Sequence, residues 1–319
     1  MTLRWGLLST ANITGALLSS GHGEFAAVAS RSAERAEAYA REHGIPRAHG
    51  SYEDLLADPD VDAVYVPLPN SMHVPWSIRA LEAGKHVLCE KPLDRSPDEV
   101  ARAFDVADRA GRLLMEAFMW RHHPQTHALE QLVSEGAIGE LRLVRSEFSF
   151  QLTRLEDVRM LPELQGGSLL DVGCYCVSAA RLLAGEPEVV YGQQVLSSSG
   201  VDVRFAATMR FPGDVLAHFD CVFDLPFRST IEAVGSEGSL LGSNPFILDD
   251  DRALDLRRGG DVERVEAGHT NKYQLEFENL SDAIRARAEP LLGREDAVGQ
   301  ARALDALLRS AESGAPVRV

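Results

Sequence analysis

Three residues of this sequence have types and spacings suited to removing a proton from a hydroxyl group. Lys91 stands in Glu90-Lys91-Pro92, directly after an apolar run, and Asp171 and Tyr175 lie four positions apart in a helical pattern. Residues at i and i+4 share one face of a helix, so this carboxylate and this phenol project together. A free phenol has a pKa of about 10 and is a poor base at neutral pH, but a nearby ammonium stabilises the phenolate.

The same residues also have plain structural explanations. Asp171 in a first helical turn would complement the helix dipole, and tyrosine is commonly half buried. A Glu-Lys pair stranded at a strand end and followed by proline is harder to explain structurally. Ligands of open α/β sheets bind beyond the carboxyl ends of the strands, so Lys91 is the residue that most favours a functional site.

Elements that would position Lys91 alternate regularly over residues 1–120. Short apolar runs predict buried parallel strands at Arg4–Ser9, Phe25–Ser30, Val61–Val66, His86–Cys89 and Leu113–Glu116. Amphipathic stretches predict helices between them, at Ile13–Ser20, Ala33–His43, Met72–Ala83 and Pro97–Ala110. A glycine follows each helix where a left-handed residue is wanted, at Gly21, Gly44, Gly84 and Gly111. This α/β pattern predicts a doubly wound parallel sheet, a Rossmann domain for dinucleotide binding.

Residues 121–319 have a different pattern, which predicts an α+β domain. A largely antiparallel open sheet is expected over residues 188–265, after one further strand at Glu140–Phe150. An irregular segment at 154–167 would border the substrate pocket. Helices are expected at Thr126–Glu135, Ser168–Leu183, Tyr273–Ala288 and Arg294–Glu312.

Composition excludes several classes of protein. The net charge of −16 would repel a phosphate backbone, which argues against nucleic acid as a partner. No stretch approaches the roughly 20 apolar residues of a membrane span, and a strand-like run from Leu3 argues against a signal peptide. The cysteines have no metal-ligand spacing, so we expect no metal and free thiols in the cytoplasm; they are Cys89, Cys174, Cys176 and Cys221. The run Asp249-Asp250-Asp251 is expected to be a solvated turn.

The first strand-to-helix turn is a candidate pyrophosphate site. The three places of a G-x-G-x-x-G fingerprint hold Ser9, Ala11 and Thr14, which are small enough for backbone amides to approach a phosphate. The predicted contacts are Ser9, Thr10, Ala11, Asn12 and Ile13. A plain turn with Asn12 as the helix cap is an equal alternative.

The end of the second strand favours NADP over NAD. An NAD enzyme would place an acid there to hold the ribose hydroxyls, but this chain has Ser30 and Arg31, with Arg35 one helical turn later. A hydroxyl and guanidinium groups suit a 2′-phosphate. In the alternative interpretation, Ser32 caps the next helix and the arginines are solvated.

Several motifs together resemble the glucose–fructose oxidoreductase/inositol dehydrogenase/MocA-type family. Glu90-Lys91-Pro92 is similar to its signature, and the matching context covers most of the chain. That context is Ser51–Leu56, Pro69–His73, Ala83–Val87, Glu116–Pro124 and Gly166–Tyr175. The resembling branch holds dimeric dihydrodiol dehydrogenases and NADP-dependent aldose (xylose) 1-dehydrogenases. Ser9 departs from the family's usual glycine.

The resemblance implies a role for each residue of the trio. The family's catalytic lysine falls on Lys91, its acidic substrate residue on Asp171 and its acid/base on Tyr175. It also implies a cis Lys91–Pro92 bond, and a homodimer or pair of dimers formed through the far face of the second sheet. Its cofactor is a nicotinamide dinucleotide, NADP or NAD.

Further residues are expected beside the cofactor or the substrate. Pro67, Leu68, Asn70 and His73 follow the third predicted strand and join Glu90 and Lys91 in the cofactor set, although Asn70 or Ser71 could equally cap a helix. Arg121 and His122 follow the first domain, where Arg121 is expected to contact substrate or, alternatively, only to hydrogen-bond between domains.

The leading functional hypothesis is an NADP-dependent dehydrogenase or reductase acting on CH–OH groups, most simply at C1 of an aldopyranose. Its substrate would be a sugar or cyclic polyol. Alternatives within the enzyme class are oxidation of a trans-dihydrodiol and oxidation of another ring carbon of a glycoside. A dinucleotide-binding regulatory sensor is the alternative outside it, although a sensor has no need for Lys91, Asp171 and Tyr175 together.

Overall fold

The computed structural model of the protein describes residues 3–11, 13–14, 18, 24–154, 156–247, 253–268 and 270–319. The chain forms two compact units. The first comprises Met1–Met119 and Asn271–Val298, and the second Trp120–Thr270 and Gly299–Val319. Asn12, Gly21, much of the predicted helix Ile13–Ser20 and the Asp249–Asp251 run lie outside the described residues.

A six-stranded parallel sheet forms the centre of the first unit. Its strands are β1 Arg4–Leu7, β2 Glu24–Ala29, β3 Arg47–His49, β4 Ala63–Val66, β5 His86–Glu90 and β6 Leu114–Ala117. They lie in the order β3-β2-β1-β4-β5-β6. This is the strand order of dinucleotide-binding domains, with the topological switch point between β1 and β4. The predicted α/β fold class is confirmed.

Helices of the first unit begin and end at the expected local signals. They are α1 Ala33–His43, α2 Tyr52–Ala57, α3 His73–Glu82 and α4 Pro97–Ala110. The hydroxyl groups of Ser32, Ser51 and Ser96 cap α1, α2 and α4 by accepting from backbone N–H groups. Gly44 and Gly111 end α1 and α4 with φ near +65°, as predicted.

Two differences from the prediction concern short elements. β3, at Arg47–His49, is an edge strand of three residues that gave no apolar run in the sequence. The predicted helix Met72–Ala83 is a 3₁₀ turn at Asn70–Met72 followed by α3. Pro69 and Met72, which precede the turn and the helix, make no side-chain capping hydrogen bond.

A late segment of the chain returns to the first unit. Helix α7, Lys272–Ile284, packs Phe277 against Trp5 and Tyr65, with ring centroids 4.5 and 5.5 Å apart. Burial of these aromatic rings attaches α7 to β1 and β4. The sequence pattern predicts a domain boundary at residue 120, whereas residues 271–298 group with the first unit in the structure.

The second unit is built on a sheet of nine strands among the described residues, in the order β14-β13-β12-β11-β7-β10-β9-β8-β15. Neighbouring strands are antiparallel except β7 and β10, which are parallel. The strands are β7 Leu141–Gln151, β8 Val189–Leu196, β9 Asp202–Arg210, β10 Leu216–Val222, β11 Asp224–Gly235, β12 Ser239–Ser243, β13 Ala253–Arg258, β14 Asp261–Glu266 and β15 Val317–Arg318. The further helices are α5 Pro124–Ser134, α6 Cys174–Ala184 and α8 Arg294–Ser313.

The predicted helix Ser168–Leu183 is not a uniform α-helix. Leu169–Gly173 forms a π-helical turn that continues into α6. Asp171 lies in the π turn and Tyr175 in the first turn of α6. Single π turns inside helices are rare and are frequent at functional sites.

The far face of the second sheet is polar along its central strands. Arg145 on β7 pairs with Glu232 on β11 at 3.2 Å, and Arg228 on β11 pairs with Asp220 on β10 at 2.8 Å and with Glu147 on β7. The far face, through which the resemblance implies a dimer, is therefore charged along these strands. One helical stretch, Pro162–Ala184, would be long and apolar enough for a membrane span, but 78% of its most apolar window is buried inside the protein, as in a core helix.

Candidate active site

The predicted pyrophosphate turn lies at the carboxyl end of β1. Buried Thr14 closes it, because its hydroxyl group donates to the carbonyl oxygen of Ala11 at 2.5 Å and its backbone N–H donates to the same oxygen at 3.0 Å. Leu8 N–H donates to the carbonyl oxygen of Tyr65 on β4, so the turn starts at the switch point of the sheet. Ser9, Thr10 and Ala11 follow there, where helix N-terminal amides attract phosphate.

Two guanidinium groups stand beside this turn. Arg31 and Arg35 are exposed after β2, and Nη2 of Arg35 lies 3.5 Å from the hydroxyl group of Thr10. Burial raises the pKa of Tyr52, and the positive charges of Arg31 and Arg35 oppose that rise, so both arginines lie near its phenol.

Ser30 and Ser32 make hydrogen bonds with backbone N–H groups of this segment. Ser30 is buried and its hydroxyl group accepts from the N–H of Ser32 at 3.4 Å, whereas Ser32 caps α1. Two exposed guanidinium groups, of which that of Arg35 reaches the predicted pyrophosphate turn, have the charge and the hydrogen-bond donors that suit a 2′-phosphate. Arg31 and Arg35 would hold that phosphate, and residues 9–11 would hold the pyrophosphate.

Lys91 follows the carboxyl end of β5, and the Lys91–Pro92 peptide bond is cis, as the resemblance implied. Its backbone N–H donates to the carboxylate of Glu90 at 3.3 Å. Tyr65, on the neighbouring strand β4, donates its phenolic hydroxyl to Oε1 of Glu90. Glu90 is thus held by β4 as well as β5, which fixes the backbone from which Lys91 projects.

Behind Glu90 lies a second carboxyl group that the sequence analysis missed. Glu276 on α7 is fully buried, and neither carboxyl oxygen has a hydrogen-bond partner among the described residues. Burial and the negative charge of Glu90 hold the pKa of Glu276 well above its usual range, and the ammonium of Lys272 opposes this. Burial therefore favours the protonated, uncharged form of Glu276.

His73 is buried between two loops of the first unit. Its Nδ1 lies 2.8 Å from the carbonyl oxygen of Pro92, and its Nε2 lies 2.6 Å from that of Leu68. Burial lowers the pKa of His73 to about 4, so the ring is neutral at pH 7. A neutral ring carries one N–H, so His73 donates to one of these two carbonyl oxygens and packs against the other, between the loop of Pro67 and Leu68 and the loop of Lys91.

Asp171, Tyr175 and Ser178 form one stripe along the π turn and α6. The Tyr175 ring is buried against Phe148 and Phe246, with centroids 5.5 and 5.4 Å away. Arg121 reaches the same stripe, because its Nη1 donates to the hydroxyl group of Ser178 at 3.4 Å. The second unit therefore brings together three predicted substrate residues, Asp171, Tyr175 and Arg121.

His122 has a different environment from its neighbour Arg121. The ring is buried, and burial lowers its pKa to about 3, so it is neutral. No hydrogen-bond partner of its Nε2 is present among the described residues.

Two charged residues near the stripe were not predicted from the sequence. Nε of Arg159 donates to Oδ2 of Asp171 at 2.7 Å. Asp202, at the start of β9, accepts from the hydroxyl group of Ser168 at 2.6 Å and from the N–H of Leu169 at 2.8 Å, and burial raises its pKa to about 6. Asp202 belongs to a distant strand, so no local signal could have identified it. Arg159 lay in the segment that we expected to border the pocket.

The described part of the chain contains no group of three His, Cys, Asp or Glu side chains that could hold a metal ion.

Two family models match the chain. Residues 6–118 match the oxidoreductase family with an NAD-binding Rossmann fold, and residues 126–241 match the GFO/IDH/MocA C-terminal domain. The chain belongs to the GFO/IDH/MocA family of oxidoreductases. The predicted family, and with it the prediction of a nicotinamide-dependent enzyme, are confirmed.

Individual members of the GFO/IDH/MocA family are similar over long stretches. The D-xylose 1-dehydrogenase (NADP(+)) 2 of Haloferax volcanii is 41% identical over 99% of this chain and 100% of its own length. The trans-1,2-dihydrobenzene-1,2-diol dehydrogenase of Mus musculus is 35% identical over 75% of this chain and 74% of its own. The crystal structure of aldose-aldose oxidoreductase from Caulobacter crescentus, complexed with glycerol, covers 100% of both chains with a TM-score of 0.91 and 28% identity.

Proposed function

We propose that this protein is an NADP-dependent dehydrogenase that oxidises C1 of an aldopyranose to the lactone. The observation that carries the proposal is the position of Lys91, which projects from the carboxyl end of β5 in a sheet with the dinucleotide-binding strand order. Support comes from the relative named D-xylose 1-dehydrogenase (NADP(+)), which this chain matches over almost its whole length.

The proposed chemistry assigns one task to each residue. Tyr175 takes the proton of the C1 hydroxyl group, and the ammonium of Lys91 stabilises the resulting charge and donates a hydrogen bond to the reacting oxygen. Asp171 accepts a hydrogen bond from a sugar hydroxyl and so orients the ring. Bound NADP supplies the acceptor for the hydride that leaves C1. Arg121, on the same stripe as Asp171 and Tyr175, is a further substrate contact in this proposal.

The cofactor residues follow the same logic. The amides of Ser9, Thr10, Ala11, Asn12 and Ile13 would hold the pyrophosphate, and Arg31 and Arg35 the 2′-phosphate. Pro67, Leu68, Asn70 and Glu90 complete the cofactor-binding set, with Ser30 shaping the turn that presents the arginines. His73 contributes by fixing the two loops whose carbonyl groups it contacts.

The division of labour follows the two domains, with residues 1–120 binding the dinucleotide and residues 121–319 binding the substrate. We further propose a homodimer, or a dimer of dimers, formed through the outer face of the second sheet. The ion pairs between β7, β10 and β11 make that face polar, so such an interface would contain charged groups at its centre.

The four cysteines are free and buried, which suits a protein of the cytoplasm.

The test is reduction of NADP, followed by absorbance of the reduced nicotinamide, with a panel of aldoses, cyclic polyols, glycosides and trans-dihydrodiols. We expect turnover with an aldopyranose and release of a lactone. Turnover only with a dihydrodiol, or only at another ring carbon, would replace the proposed substrate. Binding of NADP without turnover of any compound would point to a sensor.

A further inference from the structure

Arg159 occupies a position that the proposed chemistry does not explain. Its Nε donates to Oδ2 of Asp171 at 2.7 Å and its Nη1 donates to Oδ1 of Asp157 at 3.2 Å. The Arg159 side chain is 41% exposed, and that of Asp171 only 16%. Ion pairs with an exposed partner add little stability, a median of about 0–1 kcal/mol. Stability of the fold is therefore a weak reason for this contact.

The backbone on both sides of the pair is built to hold it. Asp157 caps the 3₁₀ turn Val158–Met160 by accepting from the N–H of Arg159 at 3.0 Å. The carbonyl oxygen of Arg159 accepts from the N–H of Gly167 at 2.9 Å. The carbonyl oxygen of Gly167 in turn accepts from the N–H of Asp171 at 3.1 Å. Gly167 thus connects the backbone of Arg159 directly to the turn that carries Asp171.

Only glycine permits this close approach. A Cβ atom at Gly166 would collide with the carbonyl group of Arg159, and one at Gly167, where φ is +119°, would collide with the carboxylate of Asp202. Asp202 in turn accepts from Leu169 N–H in the π turn. Arg159 and Asp171 are therefore anchored from the same short stretch of backbone, which fixes their separation.

Arg159 contacts two carboxylates, those of Asp157 and Asp171. Asp157 by itself would balance the charge of Arg159, so Asp171 is not needed to neutralise the guanidinium. The planar guanidinium fixes the plane of a carboxylate that it contacts.

We propose that Arg159 is a positioning residue, whose guanidinium holds the carboxylate of Asp171 in the orientation that receives a sugar hydroxyl group. The inference rests on the proposed function, because it acts through Asp171 on the sugar. It makes residues 157–167 a determinant of sugar affinity, without requiring Arg159 to contact the sugar.

A double-mutant cycle tests the inference, with Arg159→Gln, Asp171→Asn and the double variant. We expect Arg159→Gln to lower kcat/KM for the aldose roughly ten- to a hundredfold, the usual effect of losing one charge-assisted hydrogen bond. In the Asp171→Asn background the same change should cost less than about twofold, and KM for NADP should stay unchanged throughout. Arg159→Lys should restore part of the loss. The matched control is Arg142→Gln, which removes an exposed ion pair with Glu140 at the start of β7 and should behave as wild type.

An equal loss in both backgrounds would show that Arg159 acts independently of Asp171, and would overturn the inference. So would wild-type kinetics of Arg159→Gln. Urea unfolding of the same four proteins measures the coupling of the two residues without any substrate, and this coupling should be small because Arg159 is partly exposed. A large coupling would make the pair a stabilising contact of the fold and would contradict the inference. If the wild-type protein oxidises no aldose, the proposed function fails and the positioning role with it, whereas the unfolding coupling would remain.

Discussion

Nδ1 of His73 lies 2.8 Å from the carbonyl oxygen of Pro92, the residue that follows Lys91. The other ring nitrogen lies 2.6 Å from the carbonyl oxygen of Leu68. One buried imidazole therefore spans the loops that follow two neighbouring strands, β4 and β5. This relationship shifts our interpretation of His73 from a group that touches the cofactor to one that shapes the loops around it.

Replacing His73 by alanine should weaken cofactor binding. The change leaves one backbone carbonyl without its N–H donor and a cavity in place of the ring, so we expect a loss of about 2–4 kcal/mol in the free energy of unfolding and a raised KM for NADP. Kinetics with varied NADP and thermal unfolding measure both. His218→Ala, at an exposed histidine of β10, is the control. An unchanged KM for NADP would contradict the assigned role.

Lys91→Ala and Tyr175→Phe should each remove most of the activity. A positioned acid or base contributes roughly 10²–10⁴-fold to rate, and kcat should fall by that order. Tyr175→Phe keeps the ring that packs against Phe148 and Phe246, so its thermal midpoint should stay close to wild type. Steady-state kinetics measure the loss of kcat, and thermal unfolding measures the stability of each variant. Tyr191→Phe, at a half-buried tyrosine, is the control. Near-normal turnover of either variant would refute its assigned role.

Arg31→Ser and Arg35→Ala should change the preference between the two dinucleotides. Each arginine would form a charge-assisted hydrogen bond to the 2′-phosphate, so its loss should raise KM for NADP roughly ten- to a hundredfold and leave KM for NAD nearly unchanged. Arg41→Ala, at an exposed position of the same helix, serves as control. A parallel rise for NADP and NAD would mean that the arginines do not recognise the phosphate.

Asp202→Asn should alter the pH dependence of stability. Burial raises the pKa of Asp202 from 3.8 to about 6, so the folded protein keeps a proton that the unfolded chain has lost. Its contribution to stability is present below pH 4 and falls by about 3 kcal/mol as the pH rises to 6. Asparagine does not titrate, so the stability difference between wild type and variant should shift towards the variant over that interval.

Urea unfolding at pH 4.5, 5.5 and 7 measures this difference. A constant difference across the three values would show that Asp202 is not buried as a titrating acid. Asp214→Asn, at an exposed carboxylate of the same unit, provides the comparison for a group with no burial.

Local signals in the sequence were enough to predict the parallel sheet of the first unit and the strand ends that carry the candidate site residues. Alternating periodicities, serine caps and glycine stops are local signals, and the helices Ala33–His43 and Pro97–Ala110 have the predicted bounds. The motif at Glu90-Lys91-Pro92 was likewise readable, because a charged pair after a buried strand is a local feature of the chain.

The groups that surround the predicted residues come from distant parts of the chain, and they are known only from the tertiary structure. Tyr65 reaches Glu90 from 25 positions away, Asp202 caps a turn 33 positions earlier, and α7 returns Glu276 to the first sheet. The sequence also did not predict the π turn around Asp171, since its residues have ordinary helical character. The physical reason is that a strand or helix forms from neighbouring residues, whereas the pairing of buried charges depends on which distant segments pack together.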